Sequence, residues 1–392
     1  MLALDGIVVL DLARRYPGSY SAMFFADFGA EVIKVDPPGS VFPIPELDST
    51  TEFFAAHFAS DRNKKSVVLN LKSDDGREAF YRLVKRADVL IEGFSPKVMK
   101  RLKTDYDTLK EINPGLIYCS LSGYGHTGPY ADLPGHDMNY CGIAGATSMV
   151  GERNGQPYLV SNYLADMAGA GLHGVIGVLI ALMARQKTGQ GQFVDVTYID
   201  GVISLLAMDA SFYFATGKVP RRGETYTTGA APWANVHRCK DGEYITLGCA
   251  EPHFWENLCR ALGREDFIPY QNPPDEKKQE EVTKTLKEIF LTRTRDEWFE
   301  FFKDKDTCFG PVYNLDETFS DPQVKHREMV VEIDHPRVGK VKQIGIPIKL
   351  SETPGQIRSL GTLVGAHTDE ILHDLGYSQG EIRKLREEKA IG

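Results

Sequence analysis

The sequence predicts an α/β fold: a parallel-sheet domain covered by helices, followed by a smaller α+β domain. Short β-branched runs alternate with amphipathic segments from residue 7 to residue 198. The runs are apolar on both faces, the pattern of strands buried between layers of helices. Near residue 218 the composition turns polar and the alternation stops, which marks a second domain.

Taken in order, Ile7–Leu12 (IVVLDL) is the first strand and Gly18–Phe28 the first helix. Val32–Val35, Val67–Leu71, Val89–Ile91 and Leu116–Leu121 are further strands, with an amphipathic helix at Asp74–Lys85. A long apolar helix is expected near Asp166–Gln186, then the turn Lys187-Thr-Gly-Gln-Gly191 and a strand at Phe193–Tyr198. One more apolar helix is expected across Gly201–Phe214, and Lys218–Ala230 reads as a boundary. Beyond it, Asn235–Cys239 and Tyr244–Gly248 flank Lys240-Asp-Gly-Glu243, an Asp-Gly hairpin signal. Charged helices follow at Glu256–Leu262, Asp275–Leu291 and Arg295–Phe302, and the tail from Pro347 is helical again. The expected domains are 1–217 and 218–330, with a segment 331–392 returning to the first.

Composition bounds the function. The 392 residues carry 45 Lys+Arg against 54 Asp+Glu, a net charge of −9, with 42% hydrophobic and 25% charged residues. These values exclude a disordered chain, a collagen-like fibre and a small disulfide-stapled scaffold. The acidic balance argues against nucleic acid as a partner, yet leaves room for a small anion held by a few local bases. Six dispersed cysteines without a CxxC pair read as buried thiols in a reducing compartment. No basic leader precedes the N-terminal apolar run, so a cytoplasmic protein is expected. Met167–Ala184 is 18 residues without formal charge, but it holds His173 and four glycines. A small-residue helix pressed against neighbours is expected there rather than a membrane span.

Three acid–base residues stand in suggestive settings. His136 lies in Leu133-Pro-Gly-His-Asp-Met-Asn-Tyr140, a loop entering an apolar segment, where it is either a structural loop histidine or a catalytic one. Asp166 opens the long apolar helix, where an N-terminal carboxylate is stabilised by free N–H groups and the helix dipole. It reads as a simple cap or as a carboxylate beside a ligand, since Ala165, Ala168, Gly169, Ala170 and Gly171 leave space around it. Glu251 follows a strand and precedes Pro252, so taken alone it is a capping acid. The cluster Arg62-Asn-Lys-Lys65, with Lys34 and Lys72, is either a solvated rim or a seat for phosphates. No Walker, dinucleotide-binding or GxSxG pattern occurs, and no metal-ligand spacing is convincing.

Read together, several segments resemble the class III CoA-transferase family, which also contains acyl-CoA racemases and carnitine-CoA enzymes. They are Leu4–Leu12, Ala26-Asp-Phe-Gly-Ala-Glu-Val-Ile-Lys-Val35, Arg62–Lys72, Ser122-Gly-Tyr-Gly-His-Thr-Gly-Pro-Tyr130, Lys187–Gln192 and Gly365-Ala-His-Thr-Asp-Glu-Ile-Leu372. Gly135-His-Asp-Met-Asn-Tyr140, Asn162–Leu172 and Gly248-Cys-Ala-Glu-Pro-His-Phe254 are similar to the racemase branch. The chain departs from that branch in Tyr226–Ala234, at Pro37 where a racemase has a base, and in Phe94-Ser-Pro-Lys97, which lacks an arginine.

The resemblance implies a Rossmann-like large domain, a smaller α+β domain and an interlocked homodimer. It implies His136 and Asp166 as an acid–base pair and Glu251 as an assisting carboxylate. The CoA thioester is then lined by Leu69, Asn70, Leu71 and Lys72, by Gly135, Asp137, Met138, Asn139 and Tyr140, and by Lys34 as a base for phosphate. CoA enters as part of the substrate, with no permanently bound cofactor. The expected activity is 2-methylacyl-CoA racemisation through an enolate. The alternative is transfer of CoA between an acyl-CoA and a free carboxylic acid through an aspartyl anhydride. A second alternative is an inactive CoA-binding subunit of a hetero-oligomer.

Overall fold

Six parallel strands form the main sheet of this computed structural model, which describes residues 1–14, 16–40, 60–160, 163–271, 275–335 and 339–392. β1 (Val8–Asp11) leads through α1 (Tyr16–Asp27) to β2 (Glu31–Asp36), and β3 is Lys64–Val68. α2 (Asp74–Arg86) then connects to β4 (Val89–Glu92), and α3 (Pro96–Leu102) and α4 (Tyr106–Ile112) to β5 (Ile117–Ser122). α5 (Asp137–Ile143), a π-helical segment Leu164–Leu172 and α6 (His173–Thr188) precede β6 (Phe193–Thr197) and α7 (Tyr198–Leu205). The strand order is β3-β2-β1-β4-β5-β6, so the chain reverses its direction of travel between β1 and β4.

Period-two alternation divides the strand side chains between two cores. Leu10, Ile33, Leu90 and Tyr118 face α2 and α4, packing on Phe80, Leu83 and Leu109. Val9, Val32, Ile91 and Cys119 face α1 and α6, packing on Phe25, Ala26, Val178 and Ala181. All six expected strands of this sheet are present. α3 and α4 are too short, at seven residues each, to show a periodic signal.

The chain divides into two compact units: Met1–Ala144 with Ser161–Leu205 and Pro322–Gly392, and Gly145–Val160 with Leu206–Asp321. The helix expected across Gly201–Phe214 is interrupted at Leu206, which leaves helical geometry (φ −89°, ψ 17°), and resumes as α8 (Ala207–Thr216). In the second unit β7 (Ala234–Arg238) and β8 (Tyr244–Gly248) form the expected hairpin, with Gly242 at φ +91°. β9 (Phe309–Pro311) adds to β8, and α9 (Pro252–Ala261), α10 (Glu276–Phe290) and α11 (Arg295–Phe302) bury Trp255, Phe290 and Trp298 over the sheet. The tail contributes a hairpin of β10 (Val330–His335) and β11 (Gly339–Ile344), then α12 (Thr368–Asp374) and α13 (Gln379–Glu387). It is fastened to β3: the His367 N–H donates to the Ser66 carbonyl at 3.0 Å, and the Val68 N–H to Thr368 Oγ1 at 3.1 Å.

The charge-free stretch is the helix that the glycine content foretold. A Cβ on Gly201 would lie 1.9 Å from the Gly169 carbonyl oxygen, and one on Gly177 would lie 2.8 Å from Val194. Glycines therefore let α7 and the sheet approach this helix more closely than any side chain permits.

In the basic cluster Arg62 and Lys64 are buried in ion pairs, while Lys65 is partly exposed and Lys72 exposed. Lys64 is buried and donates to Asp11 at 2.8 Å, Asp61 at 3.0 Å and the Ser19 carbonyl at 2.9 Å. Arg62 is buried on Asp27 at 2.6 Å, and Lys65 joins Glu370 at 2.8 Å. A β-strand sends alternate residues inward, so Lys64 enters the core where the linear sequence reads only as cationic. Removing one partner of a buried pair strands the other charge. Lys64→Met is expected to lose about 3–5 kcal/mol of stability, measured by urea unfolding.

Candidate active site

In an open parallel sheet ligands bind beyond the carboxyl ends of the strands, where the strand order reverses. A cavity of about 610 Å³ lies there. Leu12 and Arg14 follow β1; Lys34 to Ser40 end and follow β2; Leu69 to Lys72 follow β3; Phe94 follows β4. Thus Leu69, Asn70, Leu71, Lys72 and Lys34 all line one cavity. Its volume is in the range of ligand pockets, roughly 300–1,000 Å³.

The loop after β3 is held by its own hydrogen bonds. Asn70 Oδ1 accepts from the Lys72 N–H at 3.2 Å, the Asn70 N–H donates to the Ala390 carbonyl at 2.8 Å, and Leu69 bridges to Ile391. The last residues of the chain therefore brace the cavity wall. Lys34 differs from the expectation. Its Nζ donates to Asp61 at 2.5 Å, and Asp61, Asp11 and Asp36 all act on its charge. Although burial opposes ionisation, these carboxylates hold its pKa above the ordinary lysine value. Lys34 is thus the cation of an internal ion pair.

The second locus is where α5 meets the π-helical segment. His136 is exposed and occupies the N-cap of α5, with its backbone N–H donating to Asn139 Oδ1 at 3.0 Å. Asp137 turns the other way: its Oδ1 accepts the Asp166 N–H at 2.9 Å. One carboxylate thereby ties the His136 turn to the Asp166 turn. Asp137 and Asn139 serve this local framework, while Met138 is exposed. Asp166 is half-buried in the first turn of the π-helical segment, three residues after Tyr163 at φ +51°. The sequence placed it as the cap of an α-helix; the wider turn instead sets it inside the segment. π-Turns and left-handed non-glycine residues recur at functional sites.

Tyr140 supports this corner. Its ring contacts Gly123 and Gly135, where an added Cβ would approach to 2.7 Å in each case, and its hydroxyl donates to the Gly135 carbonyl at 2.6 Å. Burial first, then Tyr124 and Asp166, push its pKa up to about 12, so the hydroxyl stays protonated and donating. Gly135 thus matters for the space it leaves. Glu251 stands in the second compact unit, exposed at the N-cap of α9 with Pro252 behind it, and makes no side-chain capping bond.

Over residues 4–368 the chain matches the model of CoA-transferase family III. It belongs to that family. The chain is 35% identical to a human alpha-methylacyl-CoA racemase, covering 100% of this chain and 98% of the relative. It is 34% identical to an acyl-CoA transferase of Fusarium pseudograminearum, covering 99% and 88%. Among solved structures, a CAIB/BAIF family protein from Brucella suis superimposes with a TM-score of 0.82 at 30% identity, covering 95% of this chain and 99% of that one.

Two residues at the strand ends escaped the sequence reading. Arg14 lines the cavity beside Phe94, a position that no motif signals. Glu92, at the end of the central strand β4, is fully buried, and its Oε2 accepts the Phe94 N–H at 2.7 Å while Oε1 has no hydrogen-bond partner. Burial raises its pKa from 4.5 to about 7, against the opposing pull of Ser120 and the Phe94 N–H. The folded state therefore holds a proton that the unfolded chain releases above pH 4.5, and stability falls as pH rises towards 7. Glu92→Gln removes this dependence. Relative to the variant, the wild type should lose on the order of 3 kcal/mol between pH 4 and pH 8, read from paired denaturation curves.

Proposed function

We propose that this enzyme epimerises 2-methylacyl-CoA thioesters by moving the α-proton through an enolate. The observation that carries the reading is the Asp137 link, which ties the turn bearing His136 to the turn bearing Asp166. A thioester α-hydrogen is weakly acidic, so its removal needs an adjacent base and stabilisation of the enolate oxygen. Inversion needs a proton-transferring group on each face. His136 removes the proton on one face and protonated Asp166 returns one on the other, with roles exchanged for the opposite epimer. Glu251 is the assisting carboxylate, and the cavity beside Leu69–Lys72 takes the nucleotide end of CoA. The similarity to the human racemase supports this assignment.

The placement of Asp166 favours a second reading. A carboxylate in the first turn of a helical segment lies at the positive end of the segment's dipole, which suits a nucleophile. Its oxygen would attack a donor thioester carbon and expel CoA thiolate, leaving a mixed anhydride. The thiolate would then attack the aspartyl carbonyl and release the donor acid, and an acceptor acid would complete the transfer. The Fusarium relative is an acyl-CoA transferase.

Incubation of one (2R)-2-methylacyl-CoA in deuterated water, without acceptor acid, separates the two. Racemisation predicts α-deuterium uptake with loss of configuration, and a fall of about 10²-fold or more in His136→Ala and Asp166→Ala. Absence of exchange, with a new acyl-CoA formed only when a carboxylic acid is added, assigns the transferase. Neither activity in the purified chain points to the inactive subunit.

A second copy of the chain completes the assembly in this reading. α6 packs on the sheet through Gly174, Val178 and Ala181, while Ile176, Ile180 and Met183 are 51%, 62% and 63% exposed along its other side. Apolar surface of this extent is a feature of interfaces. Light scattering after size exclusion should give twice the 43.7 kDa chain mass, and Ile180→Glu should reduce it.

A further inference from the structure

Among the described residues, the strand-end cavity is lined by the cations Arg14, Lys34 and Lys72. They are not equivalent. Lys34 is paired with Asp61 and sits within the field of Asp11 and Asp36, so much of its charge is already compensated. Lys72 is exposed, on the Asn70 turn after β3. Arg14 is exposed as well, and among the described residues no carboxylate pairs with it. Its guanidinium lies 5.3 Å from the centre of the Phe94 ring.

That stack is anchored at both ends. The Ala13 N–H, immediately before Arg14, donates to Asp11 Oδ1 at 2.9 Å, and the other oxygen of Asp11 accepts from Lys64. Phe94 is held through its N–H by the buried Glu92 carboxyl. A guanidinium resting on an aromatic face keeps its in-plane donors directed outward, and that fork matches two oxygens of a phosphate. Because the backbone before Arg14 and the Phe94 platform are both anchored, less freedom is lost when an anion binds than with a lone surface arginine.

We propose that Arg14 is the phosphate-binding residue of this cavity, holding a phosphate of the CoA nucleotide against the Phe94 face. This rests on the acyl-CoA reading above. The 3′-phosphate and the diphosphate present the same chemistry, and 3′-dephospho-CoA distinguishes them.

The test is titration of CoA and of 3′-dephospho-CoA into wild type, Arg14→Ala and Arg14→Lys, with the melting temperature of each variant as a control for folding. Arg14→Ala should weaken CoA about 10- to 100-fold, and Arg14→Lys by less, since it keeps the charge but loses the fork. Added salt should weaken CoA binding to wild type more steeply than to Arg14→Ala, a difference that a purely structural role would not produce. If Arg14→Ala weakens CoA but not 3′-dephospho-CoA, the residue holds the 3′-phosphate; equal weakening of both assigns the diphosphate. Wild type that binds CoA while Arg14→Ala binds it equally well overturns the assignment and leaves the acyl-CoA reading standing. Equal loss in Arg14→Lys and Arg14→Ala with unchanged salt dependence also overturns it. A wild type that binds no CoA overturns both.

Discussion

The Lys64 ammonium, closed between Asp11 and Asp61, is the interaction on which the strand-end geometry depends. It joins the end of β1 to the start of β3, and Asp61 passes the contact to Lys34 on β2. Three adjacent strands are thereby tied beneath the cavity by charges withdrawn from water. Such pairs add little net stability over apolar packing, but breaking one is costly because the partner stays buried and uncompensated. The network thus fixes the backbone of the β1 loop through Asp11 and holds Lys64 within the core.

A different constraint shapes the His136–Asp166 corner: the absence of side chains. Gly123 and Gly135 admit the Tyr140 ring, and Gly169 and Gly201 let two helical segments come together backbone to backbone. These contacts bring α5 and the π-helical segment close enough for Asp137 to bridge them. Close packing thus holds a corner that carries an exposed imidazole and a half-buried carboxylate.

The six strands of the main sheet were readable because each is apolar on both faces and β-branched, and the β7–β8 hairpin because Asp241-Gly242 supports positive φ. His136, Asp166 and Glu251 were readable as chemistry-bearing residues in loops and at helix starts. The seven-residue helices after β4 were not, since two turns carry too little periodicity. Nor was the fate of Arg62 and Lys64: these cations read as surface until the partners Asp11, Asp27 and Asp61 are folded against them.

The sequence by itself determined the parallel-sheet architecture, the family, and the residue types able to carry acid–base chemistry, because hydrophobic period and short motifs are local properties of the chain. Only the tertiary structure decided which basic residues are available to a ligand, and that Asp166 sits within a π-helical turn. It also set Arg14 over the Phe94 ring and Glu92 against the Phe94 N–H. Charge in a protein is defined by its neighbours, and those neighbours lie 53 residues away for Lys64 and Asp11 and 29 residues away for Asp166 and Asp137. No linear pattern records such distances; the crossing of strands and helices sets them.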